Sequence, residues 1–232
     1  MAELSYLDDV EVKLIDSMAS DLSVTRSAQV SVKGENKPET DTPRLINYLL
    51  SARHGSPFEH ATMTWFVKAP IFVFREFQRH RIASYNEMSG RYTQLLPEFY
   101  VPNAERPLVN VGSSARPEFA PGTESQYDLM VESFLETYEL AWEKYEIMLE
   151  AGIANEVARA VLPVGIFSQM YVTMNARALM NFLSLRIDHE ESAVRSRPQH
   201  EIQLVAQKME EDFKTLMPHT WESWHSNGRV AP

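Results

Sequence analysis

Residues 123–151 keep one periodicity throughout. Phe134, Tyr138, Ala141 or Trp142, Tyr145 and Met148 or Leu149 recur every three or four residues, and Gly152 closes the run. That spacing gathers the apolar groups on one face of a helix of roughly eight turns. Such a stripe has to be covered by other elements, so the rest of the chain must supply a core. At 232 residues the chain is long enough to build one without staples. Roughly 100–200 residues per domain predicts one domain, over residues 1–232.

The remaining elements mix both periods. Val10, Val12 and Leu14 alternate with Glu11 and Lys13, the pattern of a short strand. Ser20-Asp21 caps a helix over 22–32, and residues 34–42, with Pro38, read as a loop. Asp41 or Thr42 starts a helix with Pro43 in its first turn and Leu45, Ile46, Leu49 and Leu50 as its stripe. Residues 60–68 alternate around Ala61, Met63, Trp65 and Val67, a strand. The apolar run 71–77 reads as helix, since Arg75-Glu76 and Arg79-His80 recur at helical spacing. Residues 82–91 read as irregular and 97–121, with Pro97, Pro102, Pro107, Pro117 and Pro121, as a long surface loop. A short helix over 153–161 ends before Pro163, and 168–174 read as a strand. Asn175 caps a helix over 176–186, and 199–217 form the last helix, with Ile202, Val205, Met209, Phe213 and Leu216 on one face. Strands and helices do not alternate regularly, so the expected class is α+β: long helices packed on a small sheet.

Composition removes several functions. There is no cysteine, hence no disulfide, thiolate nucleophile, zinc-thiolate site or iron–sulfur cluster. A net charge of −10 disfavours a general nucleic-acid coat or an anionic membrane surface as partner. The N-terminal run is acidic and broken, unlike a signal peptide, and the longest apolar run, from Ala69 to Phe74, is far short of the ~20 residues of a membrane helix. A cytoplasmic location is expected.

Residues 79–92 stand out. They combine Arg79, Arg81 and Arg91 with His80, Glu87, Asn86, Ser84 and Ser89, and carry Tyr85 and Tyr92. Guanidinium groups chelate phosphate through paired donors, and Ser89-Gly90 permits close backbone approach to an anion. The plain alternative is a solvated basic loop. The interleaving of hydroxyl, amide and carboxylate groups among the arginines favours a binding site.

The order Arg79-His80-Arg81, seven residues, Ser89 resembles the signature of the flavin-dependent thymidylate synthase family. Three further blocks are similar to that family: His54-Gly55-Ser56-Pro57-Phe58-Glu59-His60, the run from Glu156 through Arg159 to Leu162-Pro163, and the run from Asn175-Ala176-Arg177 through Asn181-Phe182 to Arg186. The resemblance implies methylation of deoxyuridine monophosphate (dUMP) to thymidylate. FAD would be the cofactor, methylenetetrahydrofolate the carbon donor and NADPH the reductant of the flavin. The missing cysteine agrees, because flavin-free thymidylate synthases need one as nucleophile. The resemblance also implies a homotetramer with sites built across subunits.

Carried over residue by residue, it puts Ser56, Arg79, His80, Arg81, Glu87, Asn175, Arg177 and Asn181 on FAD. It puts Glu76, Arg79, Glu87, Ser89, Gly90, Arg91, Arg159 and Arg186 on the nucleotide, with Arg186 at the uracil as the catalytic group. His54 and Tyr92 would line the flavin or folate side. The bland reading of Arg159, Arg177 and Arg186 is salt bridging on helix surfaces. Glu76 departs from relatives that carry Gln there, and a carboxylate beside a phosphate would repel it. Residues 189–197 read as an insertion before the Gln199-His200-Glu201-Ile202 segment. No metal is expected: His54, Glu59 and His60, like His189, Glu190 and His200, lack the spacing of a hydrolytic zinc site. Two competing functions are a single-strand nucleic-acid clamp over residues 79–91, against which the charge argues, and a related flavoenzyme methylating a different uracil nucleotide.

Overall fold

The computed structural model describes residues 3–34 and 42–232. The loop expected over 34–42 lies, apart from its two end residues, outside the described residues, as does Asp41. The elements in chain order are β1 (Ser5–Leu7), β2 (Glu11–Ser17), α1 (Asp21–Lys33), α2 (Thr42–Ser51), β3 (Thr62–Pro70), α3 (Ile71–Phe77), β4 (Ser84–Glu87), β5 (Glu98–Tyr100), β6 (Val109–Asn110), β7 (Phe119–Ala120), α4 (Glu124–Glu150), α5 (Asn155–Ala158), β8 (Phe167–Asn175), α6 (Ala176–Arg186), α7 (His200–Leu216) and α8 (Pro218–Ser226). The class is α+β. A four-stranded sheet has the order β2-β3-β8-β4, and two-stranded sheets pair β1 with β5 and β6 with β7.

The chain divides into two compact units. The first comprises Met1–Val10, Lys68–Phe77 and Glu87–Gln169; the second comprises Glu11–Val67, Gln78–Asn86 and Met170–Pro232. The long helix α4 anchors the first unit. Thr123 and Gln126 cap it reciprocally, which satisfies two of its orphan N-terminal donors. Its stripe of Tyr138, Trp142 and Tyr145 is buried with Phe99, Leu95, Ala158 and Ile166. Phe99 stacks on Tyr138 at 4.6 Å, and the Tyr138 hydroxyl donates to the Tyr100 carbonyl at 2.9 Å. Phe99 and Tyr100 belong to β5, which pairs in parallel with β1.

In the second unit, β3 buries Met63, Trp65 and Val67 while the residues between them stay partly exposed. Each such large apolar side chain contributes about 1.5–3 kcal/mol on burial. Trp65 also donates its indole N–H to Asp212 at 2.8 Å. Helix α7 packs on β2, α6 and α8, burying Ile202, Val205, Met209 and Phe213. Asn175 caps α6 by accepting the Ala178 N–H at 2.8 Å.

Three expectations need correction. The stretch 82–91 is not wholly irregular, because Ser84–Glu87 form β4. The proline-rich stretch 97–121 contains β5, β6 and β7: its prolines fall between these short strands and leave their ladder hydrogen bonds intact. The helix starting near Gln199 is not the last. Pro218 opens α8, a proline being suited to a first helical turn, and Asp21 receives the His219 N–H at 3.0 Å and the Thr220 N–H at 2.9 Å.

Candidate functional site

Among the described residues, each unit carries an arginine-bearing cavity. In the second unit a cavity of about 560 Å³ is lined by Arg79, His80, Arg81, Asn175, Arg177 and Asn181, together with Glu59, Ile82, Ala178, Ala231 and Pro232. The fold brings these together from the turn after α3, from the N-terminal half of α6 and from the chain's last residues. Arg177 is held from two sides. Its Nη1 donates to Glu59 at 2.6 Å and its Nε to the Pro232 carbonyl at 2.7 Å. Arg177 and Glu59 are 44% and 45% exposed, so the pair adds little stability; its effect is to fix the guanidinium. Gly55 lies directly beneath: a Cβ there would meet Arg177 Nε at 2.5 Å and the Pro232 carbonyl at 2.9 Å. Asn175 has committed its carbonyl oxygen to the α6 cap, which leaves its amide N–H groups for a ligand. The start of α6 adds a positive dipole end to three arginines. This donor set fits an anionic dinucleotide such as FAD.

His80 is buried at this cavity. Arg186 donates from Nε to His80 Nε2 at 3.1 Å. Burial first, and the Arg186 charge second, push the imidazole pKa down to about 4, so the ring is neutral at physiological pH.

In the first unit a cavity of about 340 Å³ is lined by residues that include Arg75, Glu87, Gly90, Leu95, Glu156, Arg159 and Ser168. Arg159 is half-buried, and among the described residues its guanidinium has no hydrogen-bond or ion-pair partner. The salt-bridge reading of Arg159 therefore fails, whereas Arg177 does form an ion pair. Gly90 leaves room for Arg159: an added Cβ would sit 3.3 Å from its Cδ and 3.3 Å from Leu95 Cγ. Arg91 lies outside this lining. It pairs with Glu156 at 2.8 Å, both being about half exposed, and its guanidinium lies over the Tyr92 ring at 5.3 Å. Ser89 shapes the adjacent turn by accepting the Arg91 N–H on its hydroxyl at 3.3 Å.

Of the expected residues, six line the first cavity described and three, Glu87, Gly90 and Arg159, line the second. Ser56, Glu76, Ser89, Arg91 and Arg186 lie outside both linings. His54 meets Tyr48 edge-on at 5.7 Å. Sequence reasoning missed Glu59 as a site residue, although it stands inside a quoted block. It also missed Arg75, Ser168 and the Ala231-Pro232 pair. Ser168 is 1% exposed and its hydroxyl has no partner among the described residues. A lone serine in an apolar strand gives no sequence signal for this.

One trio of metal-capable side chains gathers among the described residues: His189, Glu191 and His225, with ligand atoms within 4.8 Å of one another. It is neither of the groups close in sequence. Arg229 lies 3.3 Å from His225 Nδ1 and, as an obligate donor, makes that nitrogen the acceptor. The Glu191 N–H donates to His189 Nδ1 at 3.2 Å. His225 Nε2 lies 2.6 Å from the Glu191 carboxylate.

One cavity thus offers donors suited to a dinucleotide's phosphates, and the other an arginine suited to a smaller anion. The profile of a family described as "Thymidylate synthase complementing protein" matches residues 13–219. A flavin-dependent thymidylate synthase of Streptomyces avermitilis is 51% identical over 235 residues, covering 98% of this chain and 96% of the relative. One from Tropheryma whipplei is 49% identical over 232 residues, covering 98% and 97%. Among solved structures, a UMP/dUMP methylase from Streptomyces cacaoi bound with 5-Br dUMP superposes with a TM-score of 0.94 at 46% identity, covering 99% of this chain and all of that one. The same methylase bound with 5-Br UMP gives 0.93 at 45%, covering 99% of each. The chain belongs to the flavin-dependent thymidylate synthase family. It is accordingly an enzyme, with FAD as its cofactor. No helix among the described residues is long and apolar enough to cross a membrane.

Proposed function

We propose that the chain methylates dUMP to thymidylate with methylenetetrahydrofolate as carbon donor and NADPH as reductant, acting as one domain over residues 1–232 in the cytoplasm. The observation that carries this is the pair of separate arginine-bearing cavities. Bound FAD, once reduced by NADPH, would supply the hydride that completes the new methyl group. Arg79, Arg81 and Arg177 orient its diphosphate, and Asn175 and Asn181 offer amide groups beside it. Ser56, His80 and Glu87 complete the flavin set. Arg159 takes the nucleotide phosphate, with Ser89, Gly90 and Arg91 on the adjoining turn and Glu76, Arg79 and Glu87 as further contacts. Arg186 sits at the uracil. A cation beside the N3–H lowers its pKa, and the resulting anion makes C5 a better nucleophile toward the folate carbon.

The spread of these residues over two units favours a homotetramer with FAD held between copies. Light scattering should give a tetramer mass with flavin bound; a flavin-bearing monomer contradicts it. The activity is tested by supplying the FAD-loaded chain with dUMP, methylenetetrahydrofolate and NADPH. Thymidylate should form, and NADPH consumption without it overturns the reading. The solved methylases carrying 5-Br UMP and 5-Br dUMP favour a second reading in which UMP is also methylated. Competition between the two nucleotides in the same assay separates the readings.

A further inference from the structure

We propose that His80 is a positioning residue for Arg186, holding its guanidinium by accepting a hydrogen bond at Nε2. The proposal rests on the reading above that Arg186 meets the uracil. Arg186 Nε lies 3.1 Å from His80 Nε2, and an arginine can only donate. The ring therefore presents a lone pair at Nε2 and keeps its proton on Nδ1. His80 is 7% exposed. Phe182 meets its ring edge-on, with centroids 4.8 Å apart. Phe182 and Arg186 are one turn apart on α6, so they share a face: one clamps the imidazole and the other bonds to it. The backbone is fixed too. The Tyr85 hydroxyl donates to the His80 carbonyl at 2.7 Å, and burial pushes the tyrosine pKa up to about 12, so that donor persists at any working pH.

This role stands beside the flavin contact expected of His80, which falls to its Nδ1–H. Nε2 is engaged by Arg186 and cannot at the same time donate to a cofactor. Fixing Nε sets the plane of the guanidinium, and a planar fork recognises a uracil edge only in the right plane. A protonated imidazole would repel Arg186 and lose the acceptor; the depressed pKa of about 4 keeps that form rare.

The test is a single turnover of pre-reduced, FAD-loaded enzyme with methylenetetrahydrofolate and saturating dUMP, reading thymidylate formed per bound flavin. His80→Phe retains a ring against Phe182 and removes the acceptor. Its rate should fall by roughly 10- to 100-fold, the range for a hydrogen bond to a charged group. His80→Gln, whose amide oxygen accepts, should recover most of the loss. In an Arg186→Ala background, His80→Phe should cost nothing further. If the phenylalanine variant does not fold, His80→Asn, with an amide too short to reach Arg186, replaces it in the comparison with His80→Gln. Thymidylate lost only in proportion to lost flavin, or an equal loss in the Arg186→Ala background, overturns the proposal. Wild-type thymidylate formation in Arg186→Ala alone overturns instead the functional reading beneath it.

Discussion

The two cavities are built differently. Around the larger one, side chains are already held by the protein. Arg177 lies between Glu59 and Pro232, Asn175 caps α6, and His80 is bonded to Arg186. Around the smaller one, Arg159 has no partner among the described residues, and Arg91 on the adjoining turn has the exposed Glu156 and the Tyr92 ring. A resident cofactor is best served by groups held in advance, since ordering them on binding costs affinity. A substrate that comes and goes at each turnover can be met by a guanidinium that the phosphate itself orders. The difference teaches that damage to the first cavity should propagate through its partners, whereas damage to the second should stay local.

The sharpest way to break this contrast is at Arg186, on the pre-ordered side. Arg186→Ala should reduce thymidylate formation per bound flavin by roughly 10²-fold or more. Arg186→Lys should recover only part, because an ammonium keeps the charge and loses the planar fork. Equal rates for the two variants would show that charge alone matters.

Two glycines offer a matched pair. Gly55→Ala places a Cβ 2.5 Å from Arg177 Nε, so Arg177 must leave at least one of its partners; FAD affinity should fall about tenfold. Gly90→Ala places a Cβ 3.3 Å from Arg159 Cδ, which an unpartnered side chain can absorb; dUMP affinity should change by less than about threefold. Flavin absorbance after gel filtration and a dUMP titration read the two effects. A larger effect at Gly90 would reverse the comparison.

A different kind of effect concerns pH. The His80 pKa is depressed to about 4 from 6.5, so the folded chain binds fewer protons there than the unfolded one. Its neutral form is compatible with the fold above pH 6.5, and stability falls as pH drops from 6.5 toward 4, by at most about 3 kcal/mol. The charged group that faces its ring is Arg186 on α6; Arg79 and Arg81 are its neighbours along the chain. Urea midpoints at pH 7 and pH 5 should differ less in His80→Gln than in the parent. Equal differences would mean that His80 titrates normally.

Much of this was legible in the sequence because local chemistry dictated it. The stripe of α4, the alternation of β3 and the Asn175 cap each need only neighbours in the chain. The arginine-rich segment 79–92 could be singled out because its residues have little core value. What escaped depends on contacts far apart in sequence. Strands β5 to β7 are too short to show a period and owe their existence to pairing, as β5 does with β1. Helix α8 is secured by Asp21, nearly two hundred positions away. Pro232 enters the larger cavity only because the fold returns the chain's end to Arg177. The bond between Arg186 and His80 likewise spans 106 positions, and no motif advertises it.

The central claim, that one cavity holds the flavin and the other the nucleotide phosphate, is tested most directly by crossed titrations. FAD and dUMP are each titrated into Arg177→Ala and Arg159→Ala. Arg177→Ala should weaken FAD at least tenfold more than it weakens dUMP, and Arg159→Ala should do the reverse, each reflecting the loss of a charge-assisted contact of about 1.5–3 kcal/mol. If both substitutions weaken both ligands equally, or if the pattern is inverted, the assignment of the two cavities is contradicted.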